Sequence, residues 1–461
     1  MNGLPPEIIS LIARYVPERN TRDTRSIIPM THVCRYWRQS IISAPENWTL
    51  ISDERIGLTK LSLERCKMVP LQLWFDMRKF RSNPELSDLI TPCIQNTRSL
   101  GLHHISTSPM EEFTQTLQNF LQSTPNLRSL TLSAPLNLSL DWFDELFGPL
   151  TSTLTNLVLF NVPIYPSFLR LRTLTDLTLR YCKFNLHIDT LLEFLEGNSS
   201  LEHVTLDIQF AHPSLRTSRR QAAIGNRILS LSIRSYDATD SKALISNIAV
   251  QRGAHLEVTL YDRNVGSFDV HSVITAAHLL NTRSPTFMEY CPDNRRVRLL
   301  GPNGSFSSSC HSPSGTPFVE LALLPLAHIR ELRLARCPLK SWTSRPHPLV
   351  FPPLSFPALE KLVVERELIA SRLLSALFSN PGSPPSLKTL AFLDCHLDDS
   401  FIEELTQFSS NRKNTASTYL HRVIMVGSRG DLPRVALIDE LRKYVPVVDV
   451  RIGRELPLDM R

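Results

Sequence analysis

Residues 154–182 read LTNLVLFNVPIYPSFLRLRTLTDLTLRYC and contain one short pattern twice. The first copy has leucines at Leu154, Leu157 and Leu159, and the second has leucines at the same offsets from Leu174. The alternation of apolar and polar residues at the end of each copy indicates a short strand with one buried face. Because one such strand cannot bury that face alone, the pattern predicts that neighbouring copies stack on one another.

The same pattern recurs along the chain from about residue 98. From Leu132 to Leu260, the last apolar positions of successive copies are 27, 20, 27, 27 and 27 residues apart. This spacing falls in the period of leucine-rich repeats, about 20–29 residues. Full copies begin at Leu127, Leu154, Leu174, Leu201, Ile228, Ile329, Leu359, Leu387 and Leu420, and weaker copies lie at Leu100/Leu102, Leu256/Val258/Leu260, Val297/Leu299 and Val448/Val450.

The segments between the copies have amphipathic helical patterns. They cover 111–122, 141–150, 188–196, 240–251, 270–281, 368–379, 398–409 and 435–444. Strands followed by helices predict an α/β fold: an irregular leucine-rich repeat solenoid with a parallel sheet on the concave side and helices on the convex side. An ordinary α/β fold with leucine-rich strands is the alternative.

Some features of the array are not part of its strands. Cys182, Cys337 and Cys395 each follow the first apolar residue of their copy by eight positions. The repeat pattern places a small residue there, so we predict that these cysteines are structural. Two Gly/Ser/Pro-rich stretches, 301–317 and 340–357, predict loop insertions on the surface.

A different pattern occupies residues 4–48, LPPEIISLIARYVPERNTRDTRSIIPMTHVCRYWRQSIISAPENW. Pro5 and Pro6 precede an apolar stripe with helical spacing that stops at Pro17. A polar run at 18–24 predicts a loop, and a second helix is expected over 28–43. So small a helical core is marginal by itself, so we expect a partner or the following domain to share it.

These residues resemble an F-box, and the resemblance covers about a tenth of the chain. It rests on Leu4-Pro5, Ile8-Ile9, Ile12, Val33-Cys34, Trp37-Arg38, Pro45 and Trp48. The following order, with LERC at 63–66, PLQL at 70–73 and then irregular leucine repeats, is similar to the F-box families of mushroom-forming fungi. The polar loop at 18–26 is slightly long for the family.

The resemblance implies a partner and a class of function. An F-box binds the Skp-type adaptor of cullin-based ubiquitin ligases. The chain would then be the substrate-recognition subunit of an SCF-type ligase, with its repeats binding an unknown protein substrate. A non-ligase scaffold that uses the F-box and repeats for assembly only is the alternative. The resemblance assigns adaptor binding to Leu4, Pro5, Ile8, Ile9, Ile12, Val33, Cys34, Trp37, Arg38, Ile41, Pro45 and Trp48.

Within each repeat copy, the residues between the apolar positions of the strand are expected to face the concave side. Val363 is one of them, and most of the others are polar or charged. Their mixed charge favours a polar protein surface as the ligand. The candidates for substrate binding are Asp176, Arg180, His203, Asp207, Arg234, Arg333, Lys361 and Glu365.

The patterns divide the chain into three parts. Residues 1–50 are predicted to be the F-box, residues 51–97 a linking helix–strand–helix segment that caps the solenoid, and residues 98–461 the repeat domain. Residues 58–65 fit either another repeat copy or a helix that leads into a strand at 70–75. Periodicity leaves both interpretations open.

Composition limits the other functions. The chain has 461 residues, of which 42% are hydrophobic and 20% charged, as in an ordinary globular protein. No apolar run reaches the length of about 18 residues that a membrane span needs, and no secretory signal opens the chain. The eight cysteines include no Cys-x-x-Cys pair, so we expect no metal site and reduced thiols in the cytoplasm or nucleus.

No motif indicates catalysis, and a basic-surface nucleic-acid binder remains a further alternative function. The nucleophile, zinc-protease, Walker and dinucleotide motifs are all missing, so we predict a non-enzymatic protein without a cofactor. His103 and His104 are adjacent, so in a strand they would point to opposite faces. The net charge of +6 is mild for this length and does not call for nucleic acid.

Overall fold

The structure is a computed structural model that forms two compact units, residues 1–228 and 229–461. Each unit is described by itself. The residues that the structure describes are 4–15, 27–52, 55–103, 121–134, 153–164, 166–184, 188–210, 227–235, 244, 248, 254–260, 287–291, 296–301, 304–310, 328–334, 356–365, 377, 384–395, 398–415, 419–427 and 434–452.

The first unit begins with short helices. The α-helices are α1 (Pro6–Tyr15), α2 (Ile27–Met30), α3 (Arg35–Ser43), α4 (Ile56–Cys66), α5 (Met77–Arg81), α6 (Pro84–Ile90) and α7 (Ile188–Gly197). Single 3₁₀ turns cover Pro45–Trp48, Thr91–Asn96 and Pro166–Arg170. We call α1, α2, α3 and the turn Pro45–Trp48 the helical module.

The strands of the first unit pair in chain order, and every described pair is parallel. They are β1 (Leu50–Ser52), β2 (Leu71–Asp76), β3 (Thr97–His103), β4 (Ser129–Ser133), β5 (Asn156–Phe160), β6 (Asp176–Phe184) and β7 (His203–Phe210). The sheet therefore begins at β1, directly after the helical module, and includes β2, the strand expected at 70–75. Residues 56–66 form a helix that leads into β2, which decides between the two interpretations of this segment.

The second unit continues the strand–helix pattern. Its strands are β8 (Ser230–Ser235), β9 (His255–Leu260), β10 (Phe287–Cys291), β11 (Arg296–Gly301), β12 (Gly304–Cys310), β13 (Glu331–Leu334), β14 (Lys361–Glu365), β15 (Thr389–Cys395), β16 (Arg422–Gly427) and β17 (Val447–Ile452). Helix α8 covers Asp399–Thr415 and α9 covers Val435–Arg442. The spatial order is β8-β9-β12-β11-β10-β13-β14-β15-β16-β17.

The predicted loop at 301–317 is wrong over Gly304–Cys310, which form β12 and pair with β9. Gly301 lies opposite Gly304, and β11 runs antiparallel to both β10 and β12. The weak copy Val297/Leu299 is consequently a hairpin strand and not a parallel repeat. Most of the second predicted loop, 340–357, lies outside the described residues.

The leucine rows of the repeats form the buried core. Leu157, Leu177 and Val204 occupy one register row on β5, β6 and β7, and each is at most 1% exposed. In the second unit a helix covers the corresponding face: Phe401 of α8 meets Phe392 of β15 with ring centroids 5.0 Å apart. We call this the helix-covered face of the strands. The parallel strands and their buried leucine rows make this a leucine-rich repeat fold.

The repeat turn has its own backbone signature. Tyr181 and Asp394 have φ values of 55° and 54°, and each precedes a fully buried cysteine, Cys182 or Cys395. The strand register shifts at these points, and the Cys182 thiol donates to the carbonyl of Leu159 at 3.5 Å. The prediction of structural cysteines is confirmed for these two, whereas Cys337 lies outside the described residues.

The predicted helices are confirmed where the structure describes them. The patterns at 188–196, 398–409 and 435–444 correspond to α7, α8 and α9. Those at 111–122, 141–150, 240–251, 270–281 and 368–379 lie wholly or mostly outside the described residues. The helix predicted over 28–43 is two helices, because the chain leaves the helical path after Met30 and restarts with Cys34 as the N-cap of α3.

Candidate functional site

The helical module has a small, closed core on one side. Ile9 and Ala13 of α1 lie one turn apart and pack against Ile27, Met30 and Ile41, all between 0% and 8% exposed. Trp48 extends this core, since its Nε1 donates to the carbonyl of Ile41 at 3.2 Å. The guanidinium of Arg65 in α4 lies 4.4 Å from the Trp48 ring centroid, which joins the module to the next helix.

The other side of α1 remains apolar and exposed. Leu4, Ile8 and Leu11 follow one another at helical spacing of four and three residues and are 41%, 40% and 46% exposed. Ile28 and Val33 are also exposed, at 37% and 57%. These five side chains share their exposure and their position within residues 4–33, and we call them together the outer face. The described residues include eleven exposed large hydrophobic side chains. Five of these eleven lie within the short segment 4–33.

Hydrogen bonds hold the elements that carry the outer face. The Tyr36 hydroxyl donates to the carbonyl of Leu4 at 2.9 Å, which joins the start of α1 to α3. Arg38 Nε donates to the carbonyl of Thr31 at 2.9 Å across the break between α2 and α3. The Cys34 sulfur accepts from the Trp37 amide at 3.5 Å as the N-cap of α3. The face is therefore supported by a defined backbone.

The predicted adaptor-binding residues divide into three groups. Leu4, Pro5, Ile8, Val33, Cys34 and Arg38 are exposed, and Ile12, Trp37 and Pro45 are half-buried. Ile9, Ile41 and Trp48 are at most 1% exposed, so their assignment to a binding surface is corrected: they form the core of the module. Leu11 and Ile28 were not among the candidates. Adjacent apolar pairs along α1, Ile8-Ile9 and Leu11-Ile12, were the available signal, since one narrow core cannot bury both members.

The face of the first unit's strands opposite the helix-covered face holds polar and aromatic side chains. His203 and Arg180 are exposed there, and Asp176 is half-buried beside Thr175, whose hydroxyl donates to its carboxylate at 2.6 Å. Asp207 has no exposed surface, so its assignment to substrate binding is corrected. We call this side the opposite face of the first unit.

Trp74 is a candidate on this face that sequence reasoning missed. Its ring lies 4.3 Å from the ring of His103, centroid to centroid, and both side chains are half-buried. Gly101 is Trp74's register partner on β3, and a Cβ added there would lie 1.9 Å from Trp74 Cε3. The indole therefore lies across the glycine backbone, which no side chain at 101 would permit. His104 lies outside the described residues.

The corresponding strand face of the second unit differs, because its charges pair with one another. Arg333 Nε donates to Glu365 Oε1 at 2.7 Å, and Lys361 Nζ lies 3.0 Å from Glu331 Oε1. Arg234 is half-buried on β8. Val363, which was expected to face the concave side, is 2% exposed and belongs to a buried apolar cluster with Ala391, Leu393, Ile424 and Val426, so it is not available to a ligand.

Burial sets the chemistry of the cysteines in the repeats. Burial raises the pKa of the Cys182 thiol to about 12. It also raises the pKa of Cys66, with a smaller contribution from nearby Cys93. These thiols are protonated at neutral pH and unsuited to nucleophilic chemistry.

The described residues contain neither a metal-binding cluster nor a helix that could span a membrane. Across the ranges given above, no three His, Cys, Asp or Glu side chains form a group that could hold a metal ion. In the same residues, no helix is long and apolar enough to cross a membrane.

Comparison with known proteins gives a likeness to solved structures and none to a family or a curated sequence. No family model matches the chain, and no curated protein matches it in sequence. Among solved structures, a leucine-rich repeat protein of Leptospira interrogans is similar, with 14% identity and a TM-score of 0.30. The match covers 86% of this chain and 91% of the other.

Proposed function

We propose that this chain is the substrate-recognition subunit of an SCF-type, cullin-based ubiquitin ligase. In this proposal the outer face of the helical module binds the Skp-type adaptor. The opposite face of the first unit binds a protein substrate. The chain contributes no reacting group and acts by proximity, holding substrate lysines near the ubiquitin carrier.

The observation that carries the proposal is the exposed apolar face on a module that resembles an F-box. Ile8 and Leu11 share one side of α1 and Leu4 lies just before its start, while Ile9 and Ala13 on the other side complete the core. Exposed apolar patches on soluble proteins mark sites of protein association. Burying each large aliphatic side chain contributes about 1.5–3 kcal/mol, so five of them can support a stable complex after the costs of association.

The substrate side of the proposal rests on Trp74, Arg180 and His203. Trp74 offers an aromatic surface, and Arg180 and His203 offer hydrogen-bond donors. Among the described residues, neither Arg180 nor His203 forms an ion pair. The matching face of the second unit is paired or buried, so Arg333, Lys361 and Glu365 are weaker candidates. The substrate that best fits the opposite face of the first unit is a protein whose surface is polar and carries an exposed apolar side chain.

The test is co-purification of the tagged full chain with a recombinant Skp-type adaptor, followed by addition of cullin. The Ile8→Ala/Leu11→Ala variant should bind the adaptor about 10- to 1,000-fold more weakly, because two exposed anchors are truncated. Its thermal unfolding midpoint should match that of the parent chain. Val435→Ala removes an aliphatic side chain that is even more exposed, from α9, and should leave adaptor binding unchanged.

Two results would contradict the proposal. If the parent chain never retains the adaptor, the helical module is not an adaptor-binding F-box. If the adaptor binds but cullin never joins the complex, the chain is an assembly scaffold and not a ligase subunit. Transfer of ubiquitin to a captured protein by the complete complex would support the proposed role.

A further inference from the structure

A groove of about 640 Å³ lies in the first unit between the helical module and the amino ends of strands β1 to β5. Ala13, Ile27 and Asn47 line it from the module. The sheet contributes residues at or just before the start of successive strands: Thr49, Leu50, Val69, Pro70, Gln72, Arg98, Ser99, Arg128, Ser129 and Thr155. The volume is that of a small-molecule site, about 300–1,000 Å³.

A row of hydrogen-bond donors crosses this groove. Gln72, Ser99 and Ser129 are direct register partners on β2, β3 and β4. Neighbouring strands are about 4.8 Å apart, so the three side chains span about 10 Å. Within the described residues, none of the three makes a side-chain hydrogen bond. The row is available to a ligand.

Two arginines stand beside this row. Arg98 and Arg128 precede Ser99 and Ser129, and the Arg128 amide donates to the Arg98 carbonyl at 2.8 Å. Both are exposed, and neither has an ion pair or side-chain hydrogen bond in the part of the chain that the structure describes. Like charges directly across neighbouring strands destabilise a sheet. A bound anion would remove that repulsion.

The other lining groups leave the groove cationic. Glu46 is the single carboxylate among the lining residues, and it already takes part in an interaction. Two guanidinium groups with two hydroxyls and an amide supply more donors than one carboxylate can accept. A phosphoryl group has three terminal oxygens, and arginine binds it through two parallel hydrogen bonds.

We propose that this groove binds a phosphoryl oxyanion through Arg98 and Arg128, with Ser99, Ser129 and Gln72 donating to its remaining oxygens. The phosphoryl group can belong to a free phosphate ester or to a phosphorylated side chain of a peptide, because both present the same oxygens. The site is distinct from the outer face, so it does not depend on the adaptor-binding proposal.

The test is fluorescence anisotropy on the full chain with a labelled phosphoserine peptide and its unphosphorylated twin. The phosphorylated peptide should bind at least about tenfold more tightly, and Arg128→Gln should remove about tenfold of that affinity. Competition with fructose 1,6-bisphosphate distinguishes the two sources. If fructose 1,6-bisphosphate displaces the labelled peptide completely at a lower concentration than the unlabelled phosphopeptide does, the natural ligand is a free ester. If the unlabelled phosphopeptide displaces it at the lower concentration, the natural ligand is a phosphorylated peptide segment.

The matched control is Arg330→Gln. Arg330 is exposed and precedes β13 in the second unit, where its carbonyl accepts from the next strand as that of Arg98 does. It should bind like the parent chain. Equal binding of the two peptides, or an equal loss in Arg330→Gln and Arg128→Gln, would overturn the proposal. Arg98→Gln/Arg128→Gln should still bind the adaptor, so the two proposals fail separately.

Discussion

The leucine rows of the repeats and the apolar stripe of α1 use the same kinds of side chain with different results. Leu157 and Leu177 are at most 1% exposed, because the next strand and the helices cover them. Leu4, Ile8 and Leu11 are 40–46% exposed, because no described element covers that side of α1. A repeat obtains its packing partner from its neighbour in the chain. The helical module does so only on the side of Ile9 and Ala13.

The largest effect should come from the leucine rows. Leu179→Ala in β6 leaves a cavity at a site with no exposure and should lower the free energy of unfolding by about 2–5 kcal/mol. Leu11→Ala, the same truncation on the outer face, should change it by less than about 0.5 kcal/mol. Urea unfolding followed by circular dichroism measures both. Equal losses in the two variants would mean that the outer face is covered in the folded chain.

Adjacent isoleucines of α1 test the comparison within one helix. Ile9→Ala should lower the free energy of unfolding by about 2–5 kcal/mol, because Ile9 is fully buried. Ile8→Ala should leave unfolding nearly unchanged and weaken adaptor binding. Hydrogen exchange of the α1 amides, together with adaptor titration, reads both effects. If Ile8→Ala unfolds the module while adaptor binding by the folded fraction is normal, the outer face is structural.

Gly101 lies beneath the half-buried ring of Trp74 on the neighbouring strand. Gly101→Ala forces the Trp74 ring from its position and should cost about 1–3 kcal/mol of unfolding free energy. The tryptophan fluorescence spectrum should change as well. Placing Gly101→Ala on a Trp74→Ala background should remove most of that cost, because the clashing ring is gone. Additive costs in the double variant would show that Trp74 does not lie over Gly101.

The smallest effect concerns thiols in the two regions. With a pKa of about 12, the Cys182 thiol is ionised at pH 8 in about one folded chain in ten thousand. Iodoacetamide should therefore react very slowly with Cys182 in the folded chain. Cys34 is exposed and should react, and bound adaptor should slow its reaction. Mass spectrometry of the alkylated peptides distinguishes them. Rapid alkylation of Cys182 in the folded chain would contradict its burial.

The same cysteine gives a pH dependence of known sign. Its folded pKa lies above the ordinary value of 9.0, so the folded state holds the proton more tightly than the unfolded state. The stability from this burial is fully present below about pH 9 and is lost as pH rises toward about 12. Cys182→Ala should therefore flatten the decline of the thermal midpoint between these pH values. If the thermal midpoint of Cys182→Ala declines as steeply as that of the parent chain, the decline comes from other titrating groups.

The sequence predicted the repeats well for a physical reason. A leucine at the last position of each copy must be buried wherever strands stack, so Leu132, Leu159 and Leu179 could be placed without coordinates. It predicted the hairpin β11–β12 poorly, because serine-rich residues 305–309 have no apolar alternation that would indicate a strand. Their pairing with β9 depends on a long-range contact that periodicity does not contain.

The candidate site was predicted only in part. The pattern of residues 4–48 located the helical module, but it could not separate Ile8 from Ile9, since both fit a helical stripe. Strand alternation placed Asp207 and Val363 on the concave side as residues available to a ligand, whereas both are buried. The groove beside Arg98 and Arg128 gave no signal, because its residues come from five strands and three parts of the helical module.

The amino-acid sequence by itself determined the repeat period, the positions of the leucine-rich strands and the existence of a separate helical segment. These depend on local spacing of apolar side chains, which hydrophobic burial converts directly into strands and helices. Only the tertiary structure decided which of those side chains find a partner within the chain. Burial is a property of the packed neighbours, so the outer face of α1, the Trp74–Gly101 contact and the cationic groove became visible only with the folded chain.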